Sequence, residues 1–185
     1  MRPTTGNGGK TLAQYISPAF GGFKAQLGYQ PKGDNVALLT GADAGQAKAA
    51  YAVAFSYAAG PLAAAVSYES AASDNATLAT SLGNTWSGVS ASYDFTVAKL
   101  VATYANGGTN FKGYNLGVAV PVAGASVGVQ YSKNTDTNGT GVELFANKEV
   151  LKNTTAYVDY GKKHVDSGTT AGDYDVYSIG FIWAF

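Results

Sequence analysis

The sequence has no cysteine, one histidine and few charged residues. The lack of cysteine excludes disulfides, thiolate metal sites and cysteine nucleophiles. Charged residues make up 13% of the 185 positions, whereas an average soluble domain carries about 25%. Lys and Arg together number 12, as do Asp and Glu, so no long-range field attracts nucleic acid and we expect no such partner. Something other than charge must cover the surface.

Long apolar runs are missing as well. No stretch approaches the roughly 18 residues of a transmembrane helix, and Met1-Arg2-Pro3 opens a polar, glycine-rich segment without the apolar centre of a secretory signal. We expect residues 1–9 to form a flexible leader. Composition does not change abruptly along the remainder, so residues 10–185 are predicted to form one domain.

What the sequence does contain is glycine, at 24 residues, tyrosine, at 13, and a repeated alternation of side chains. Stretches of about ten residues place apolar or aromatic side chains at every second position, which is the period of a β-strand. Helical spacing is nowhere sustained. The pattern predicts eleven strands, near 10–17, 22–30, 47–58, 62–70, 84–95, 97–106, 111–120, 125–133, 139–150, 154–163 and 173–185.

The alternation gives each strand one apolar face and one small, polar face. The apolar positions include Phe23, Ala25, Leu27, Tyr29, Tyr51, Val53, Phe55, Tyr57, Val89, Tyr93, Val127, Val129 and Tyr131. A soluble sandwich would pack this face inward, whereas a membrane barrel would turn it outward. Strand lengths near the 9 to 11 residues of a membrane-crossing strand, and tyrosines at strand ends, favour the barrel. The predicted fold is therefore all-β, an antiparallel transmembrane β-barrel.

The predicted connections alternate between tight turns and longer polar loops, the longest covering 31–46, 71–83 and 164–172. Short turns at one end and long loops at the other are typical of outer-membrane barrels, whose short turns face the periplasm.

Two segments resemble the general diffusion porins of Gram-negative bacteria, especially the trimeric, sixteen-stranded kind. The first is Tyr15-Ile16-Ser17-Pro18-Ala19-Phe20-Gly21-Gly22-Phe23, which is similar to a turn motif of that family. The second is the last strand, where Tyr177, Ile179, Phe181, Trp183 and Phe185 occupy alternate positions up to the end. This strand resembles the signal by which barrel-assembly machinery recognises outer-membrane proteins. The resemblance covers nearly the whole chain but only the last eleven of the sixteen strands.

The resemblance implies a bacterial outer-membrane protein, surrounded by lipid, that passes ions and small hydrophilic solutes by passive diffusion through a polar lumen. It implies a homo-oligomer, a trimer in that family, and no cofactor. An odd strand count would bring the first and last strands together in parallel, which single-chain bacterial barrels avoid. Either the count is wrong by one or a second chain completes the barrel.

Six charged residues on the polar faces are predicted to line the pore: Lys24, Lys48, Asp94, Lys99, Glu143 and Asp159. Scattered solvated charge is the alternative interpretation. The single histidine, His164, falls in a predicted polar loop and has no neighbours for a catalytic triad or a metal site. Residues 134–139 space their oxygens like a calcium loop, but Phe145 stands where the bidentate glutamate is needed. We therefore expect no enzyme and no metal.

Two alternatives to a porin stay open. One is a structural or adhesive outer-membrane barrel with a filled lumen, which the small side chains of Ala50, Ala52 and Ala54 would suit. The other is a soluble β-sandwich.

Overall fold

The computed structural model describes residues 13–32, 48–70, 85–108, 111–166 and 171–184. They form eleven strands: β1 (Ala13–Ile16), β2 (Phe23–Gln30), β3 (Ala50–Ala59), β4 (Leu62–Glu69), β5 (Trp86–Asp94), β6 (Lys99–Asn106), β7 (Lys112–Val122), β8 (Ala125–Asn134), β9 (Thr140–Leu151), β10 (Thr154–Val165) and β11 (Gly172–Trp183). In the single sheet that they make, every strand is hydrogen-bonded to its neighbours in sequence. The predicted count of eleven and the all-β antiparallel fold are confirmed.

Two compact units divide the chain, one covering Met1–Val89 and Ala105–Gly108 and the other Ser90–Tyr104 and Thr109–Phe185. In the first unit, β1 to β4 pair antiparallel with their side chains in register. One cross-strand row on the apolar face joins Tyr15, Leu27, Val53 and Tyr68. The polar face of the same strands carries the row Gln14, Gly28, Ala52 and Glu69. The predicted segregation of faces is therefore realised across four strands.

The second unit holds a longer run of pairing, from β7 to β11. Three consecutive rows on its apolar face are Val118–Val129–Leu144–Tyr160–Tyr177, Val120–Val127–Ala146–Val158–Ile179 and Val122–Ala125–Lys148–Ala156–Phe181. Lys148 does not interrupt the apolar surface, because its Nζ reaches the carbonyl oxygen of Ala123 in the turn, 3.2 Å away. Long lysine side chains commonly extend in this way to keep their charge in a polar environment.

The apolar face of neither unit is covered by the described residues. Ala50 is a buried apolar residue at 4% exposure, whereas Phe55, Tyr51, Leu144 and Val158 are each at least half exposed. A soluble sandwich gains its stability by packing such a face into a core, and these units have no such core within the described ranges. The apolar face of each unit therefore suits an apolar environment, such as the hydrocarbon of a bilayer.

Aromatic side chains pair near the ends of the apolar faces. In the first unit the rings of Tyr29 and Tyr51 lie 5.3 Å apart, and at the opposite strand ends those of Phe23 and Tyr57 lie 4.7 Å apart. In the second unit Tyr160 and Tyr177 pair at 5.1 Å. Bands of aromatic residues at both interfaces are typical of transmembrane barrels, because the rings are apolar but carry a polar edge or hydroxyl.

Tight turns follow the odd-numbered strands. Ala123 and Gly124, with φ of 49° and 75°, form the two-residue link between β7 and β8, in which both residues have the positive φ that matches the twist of a hairpin. Gly60 and Pro61 link β3 to β4, and Lys152 and Asn153 link β9 to β10. The two longest connections, residues 31–49 and 70–85, follow even-numbered strands, as predicted.

Several predicted boundaries differ from the structure. The turn expected at 121–124 is shorter, because Pro121 lies in β7 and pairs with Ser126. The loop expected at 164–172 is shorter at both ends, because His164 and Val165 belong to β10 and Gly172 belongs to β11. The predicted leader, 1–9, most of the loops predicted at 31–46 and 71–83, and Phe185 lie outside the described residues. No helix in the described ranges is long and apolar enough to cross a membrane.

The two faces should respond differently to a new charge. Val129→Lys puts an ammonium group at the middle of the apolar face of β8 and is expected to reduce the free energy of unfolding by about 2–4 kcal/mol in lipid vesicles. Gln130→Lys, one residue on but on the polar face, should have a much smaller effect. Urea titrations followed by tryptophan fluorescence measure both. Equal losses for the two variants would contradict this assignment of the faces.

Candidate functional site

The polar face of β7 to β11 is the most extensive polar surface that the paired strands build. Its rows, from the loop end towards the turn end, are Asn115–Ser132–Gly141–Lys163–Tyr174, Gly117–Gln130–Glu143–Gly161–Val176, Ala119–Gly128–Phe145–Asp159–Ser178 and Pro121–Ser126–Asn147–Tyr157–Gly180. Most of these side chains are small or polar. We call this surface the β7–β11 wall.

Two aromatic rings lie flat on this wall because glycines leave room for them. A Cβ atom built on Gly180 would come within 2.6 Å of the Tyr157 hydroxyl oxygen, and one built on Gly128 would overlap the ring of Phe145. Aromatic side chains that cover neighbouring glycines stabilise a sheet without projecting from it. These two rings therefore project less from the sheet than the size of a tyrosine or phenylalanine side chain would suggest.

Glu143 and Asp159 are the predicted pore-lining residues that lie inside their strands, as the fourth of the twelve residues of β9 and the sixth of the twelve of β10. Glu143 pairs with Gly161, and Asp159 is two residues before Gly161 on the same face, so the two carboxylates are diagonal neighbours across β9 and β10. The Ser178 hydroxyl donates a hydrogen bond to Asp159 Oδ2 at 2.7 Å. Within the described residues no cation forms an ion pair with either carboxylate. The register thus brings together two anionic groups that the sequence separates by sixteen positions.

The other four predicted residues lie at strand ends and are not brought together. Lys24 is the second residue of β2, and Lys48 precedes β3. Lys99 begins β6 and Asp94 ends β5, on either side of the turn between them. The Asp94 carboxylate accepts a hydrogen bond from the backbone N–H of Thr96 at 2.7 Å. This carboxylate therefore stabilises the turn, where Thr96 has a φ of 72°.

Small side chains dominate the polar face of the first unit. Ala50 pairs with Gln30, Ala52 with Gly28 and Ala54 with Gln26. Ala50 and Gln30 are buried, at 4% and 3% exposure, and Gln30 Nε2 has no hydrogen-bond partner among the described residues. Sequence reasoning singled out the alanines but not Gln30, because nothing in the alternation separates a buried amide from an exposed one.

His164 lies in an ion cluster that the sequence did not predict. Its Nδ1 is 2.7 Å from Asp173 Oδ1 and its Nε2 is 2.8 Å from Asp166 Oδ1. A neutral imidazole has one N–H donor, whereas a carboxylate only accepts, so two such bonds require the doubly protonated ring. His164 follows Tyr160 and Lys162 on the apolar face of β10 and faces Asp173 on β11. The apolar positions of β10 end at Tyr160, and the cluster lies beyond them.

The described residues contain no group of three histidine, cysteine or acidic side chains suited to hold a metal ion. In the segment that resembled a calcium loop, the Asn134 side-chain oxygen instead accepts hydrogen bonds from the backbone N–H groups of Asp136, at 2.9 Å, and Thr137, at 3.0 Å. This is the arrangement of an Asx turn.

The comparison with known protein families agrees with this architecture. The family model described as Gram-negative porin matches residues 3–180. The chain belongs to this family. Membership confirms the predicted resemblance, and it places this porin in the bacterial outer membrane as a transmembrane β-barrel protein whose apolar face meets lipid.

Solved structures similar to this porin support the same fold. The anion-selective porin from Comamonas acidovorans is 22% identical, with a TM-score of 0.72 over 94% of this chain and 59% of that one. Two engineered variants of the porin from Rh. blastica are 12% and 13% identical, with TM-scores of 0.68 and 0.69, each over 94% of this chain and 54% of theirs. This chain spans little more than half the length of those porins. No curated protein sequence matches it.

The ion cluster at His164 should titrate above the ordinary range of a histidine. Its hydrogen bonds to Asp173 and then Asp166 raise the pKa of His164 above 6.5. A raised pKa means that the stabilisation of this end of β10 and β11 is fully present below about pH 6.5 and is lost as pH rises through the folded-state value. Asp173→Asn should lower this pKa more than Asp166→Asn does.

NMR of the ring protons measures the titration directly, because His164 is the only histidine in the sequence, provided that purification uses no histidine tag. Asp136→Asn is the control, since Asp136 instead pairs with Lys112, with 3.8 Å between the charged atoms. An unchanged titration in the Asp173→Asn variant would exclude the bridging role.

Proposed function

We propose that this porin forms a passive channel for ions and small hydrophilic solutes, with the β7–β11 wall as part of its lumen. The observation that carries the proposal is the continuous separation of faces across five paired strands. The apolar rows suit the hydrocarbon of the bilayer, and the opposite rows offer hydroxyl, amide and carboxylate groups that keep a permeant hydrated. No chemistry or cofactor enters this function, and we do not expect enzymatic activity.

The six charged residues fit this proposal in two groups. Glu143 and Asp159 would line the middle of the lumen. Lys24, Lys48, Asp94 and Lys99 would lie near its two mouths, since each is at or beside a strand end. Charge near a mouth acts mainly on the approach of ions, whereas charge at mid-depth acts along their path.

Closure of the barrel requires strands that pair with β1 and β11, which are the two ends of the strand order. In a bilayer an open sheet edge leaves backbone N–H and C=O groups without partners, at a cost of several kcal/mol each. We propose that polypeptide outside the eleven described strands supplies those partners, and the odd strand count favours a second chain as its source. A trimer follows the resemblance to general diffusion porins.

Planar-bilayer recording tests the channel. Purified protein added to a lipid bilayer should give stepwise increases of current, each step marking one inserted assembly. Val129→Lys is the matched control, because a charge on the apolar face should reduce the number of insertions without changing the size of each step. A protein that inserts, as judged by protease protection, and yet gives no steps would contradict the channel.

The same recording judges the alternative of a structural or adhesive barrel with a filled lumen. The alanines at 50, 52 and 54 and the buried Gln30 favour it locally, because they leave little space or polarity exposed in the first unit. Barrels of about eight to ten strands can be filled by side chains, and those of about sixteen leave an aqueous channel. Insertion without conductance is the result that this alternative predicts.

We also propose that barrel-assembly machinery recognises β11. Tyr177, Ile179, Phe181 and Trp183 share its apolar face and are between 68% and 83% exposed. Phe181→Ser should slow membrane insertion several-fold in vesicles that contain this machinery. Ile182→Ser is the matched control, because Ile182 is also exposed, at 61%, but lies on the opposite face. Equal rates for the two variants would show that alternation on β11 is not the signal.

A further inference from the structure

The charges on the β7–β11 wall are unevenly distributed with depth. The ionisable side chains in the two middle rows of the wall are Glu143 and Asp159. Lys163 lies one row nearer the loop end, pairs with Gly141, and is a diagonal neighbour of Glu143 on the side opposite Asp159. Glu149 lies near the turn, where its carboxylate accepts a hydrogen bond from the backbone N–H of Asn153 at 3.0 Å. The two middle rows of the wall therefore carry negative charge only, and the lysine lies in the row next to Glu143.

Both carboxylates remain partly exposed beside their neighbours. Gly161 pairs with Glu143 and follows Asp159 by two residues. The larger neighbours are Gln130, which pairs with Glu143, and Phe145, which pairs with Asp159 and lies across Gly128. An ion that moves along this wall from the turn end passes Asp159 and Glu143 before it reaches Lys163.

The hydrogen bond from Ser178 fixes the direction of the Asp159 side chain. The Ser178 hydroxyl donates to Asp159 Oδ2 at 2.7 Å, so the carboxylate has a defined position along the permeation path. Rings or pairs of fixed carboxylates in a pore raise the local concentration of cations and lower that of anions.

We propose that Glu143 and Asp159 make this wall select for cations over anions. The inference rests on the proposed channel function and names the class of permeant that this part of the lumen favours. It sets the chain apart from the Comamonas acidovorans protein, which is described as an anion-selective porin. The register carries the inference, because it makes the two carboxylates diagonal neighbours in the middle rows and places the wall's lysine one row nearer the loop end.

The reversal potential in a KCl gradient measures the selectivity. Glu143→Gln and Asp159→Asn should each reduce the ratio of cation to anion permeability by about two- to fivefold, as expected for the loss of one charge within roughly 4–8 Å of the ion path. Both effects should shrink in about 1 M salt, where the Debye length falls to about 3 Å. An unchanged ratio in the double variant would overturn the proposal.

Asp175→Asn is the matched control, because it removes the same charge from the opposite face. Asp175 accepts a hydrogen bond from the Tyr160 hydroxyl at 2.9 Å and pairs with Lys162 on the apolar side of β10 and β11. Its loss should leave the permeability ratio unchanged. A shift as large as that of Asp159→Asn would mean that the potential of the whole protein, not of this wall, sets selectivity.

A second measurement does not depend on conduction. In detergent micelles, a cationic soluble spin label should broaden the amide signal of Gly161 more than an anionic label does, and the Glu143→Gln/Asp159→Asn variant should remove the difference. Absence of current in the bilayer would count against the channel alone. Equal broadening by the two labels in the unmodified protein would overturn the inference about the wall, whether or not the protein conducts.

Discussion

The fold depends on one constraint, which is that a backbone in hydrocarbon must satisfy its own hydrogen bonds. A strand cannot do this alone and needs a neighbour on each side. Here each strand finds its neighbours next to it in sequence, so that β2 to β10 are hydrogen-bonded on both edges. Side chains then need only alternate, with apolar groups to the lipid and small or polar groups to the other side. That is why the chain can be stable with so little charge and almost no buried apolar side chain among the described residues.

Alternation with period two is visible in a sequence, so it predicted the strands and their faces well. Val127, Val129 and Tyr131 could be assigned to the apolar face in advance, because only the period of a β-strand fits their segment. Boundaries were harder to predict. Pro121 suggested a turn, since proline cannot donate to a ladder, but it sits at the second-last position of β7 and the turn uses the positive φ of Ala123 and Gly124 instead. Chain ends and long loops carry no alternation, so their limits were the least certain.

For the candidate site, the sequence predicted only which face of the sheet carries it. That Glu143 and Asp159 point to the polar side follows from alternation, but that they are neighbours follows from the register between β9 and β10. A single sequence does not contain the register, because a shift of two residues preserves every face. The same limit hid the His164 cluster. In the sequence, Lys162, His164 and Asp166 resemble the polar residues of a loop. The register shows instead that His164 lies opposite Asp173 and Lys162 opposite Asp175.

The pairing of sequence neighbours has a consequence for how the sheet assembles. Several pairs of consecutive strands are joined by two-residue links, namely Gly60–Pro61, Ala123–Gly124 and Lys152–Asn153. The entropy lost in closing such a hairpin is small. The contacts are local in the chain, which is the kind of topology that folds fastest for its size. A tight link carries few polar groups, whereas a long polar connection carries many. Because the short turns of outer-membrane barrels face the periplasm, a chain that arrives from the periplasm must pass its long connections through the bilayer, and this is the costly step in inserting each hairpin.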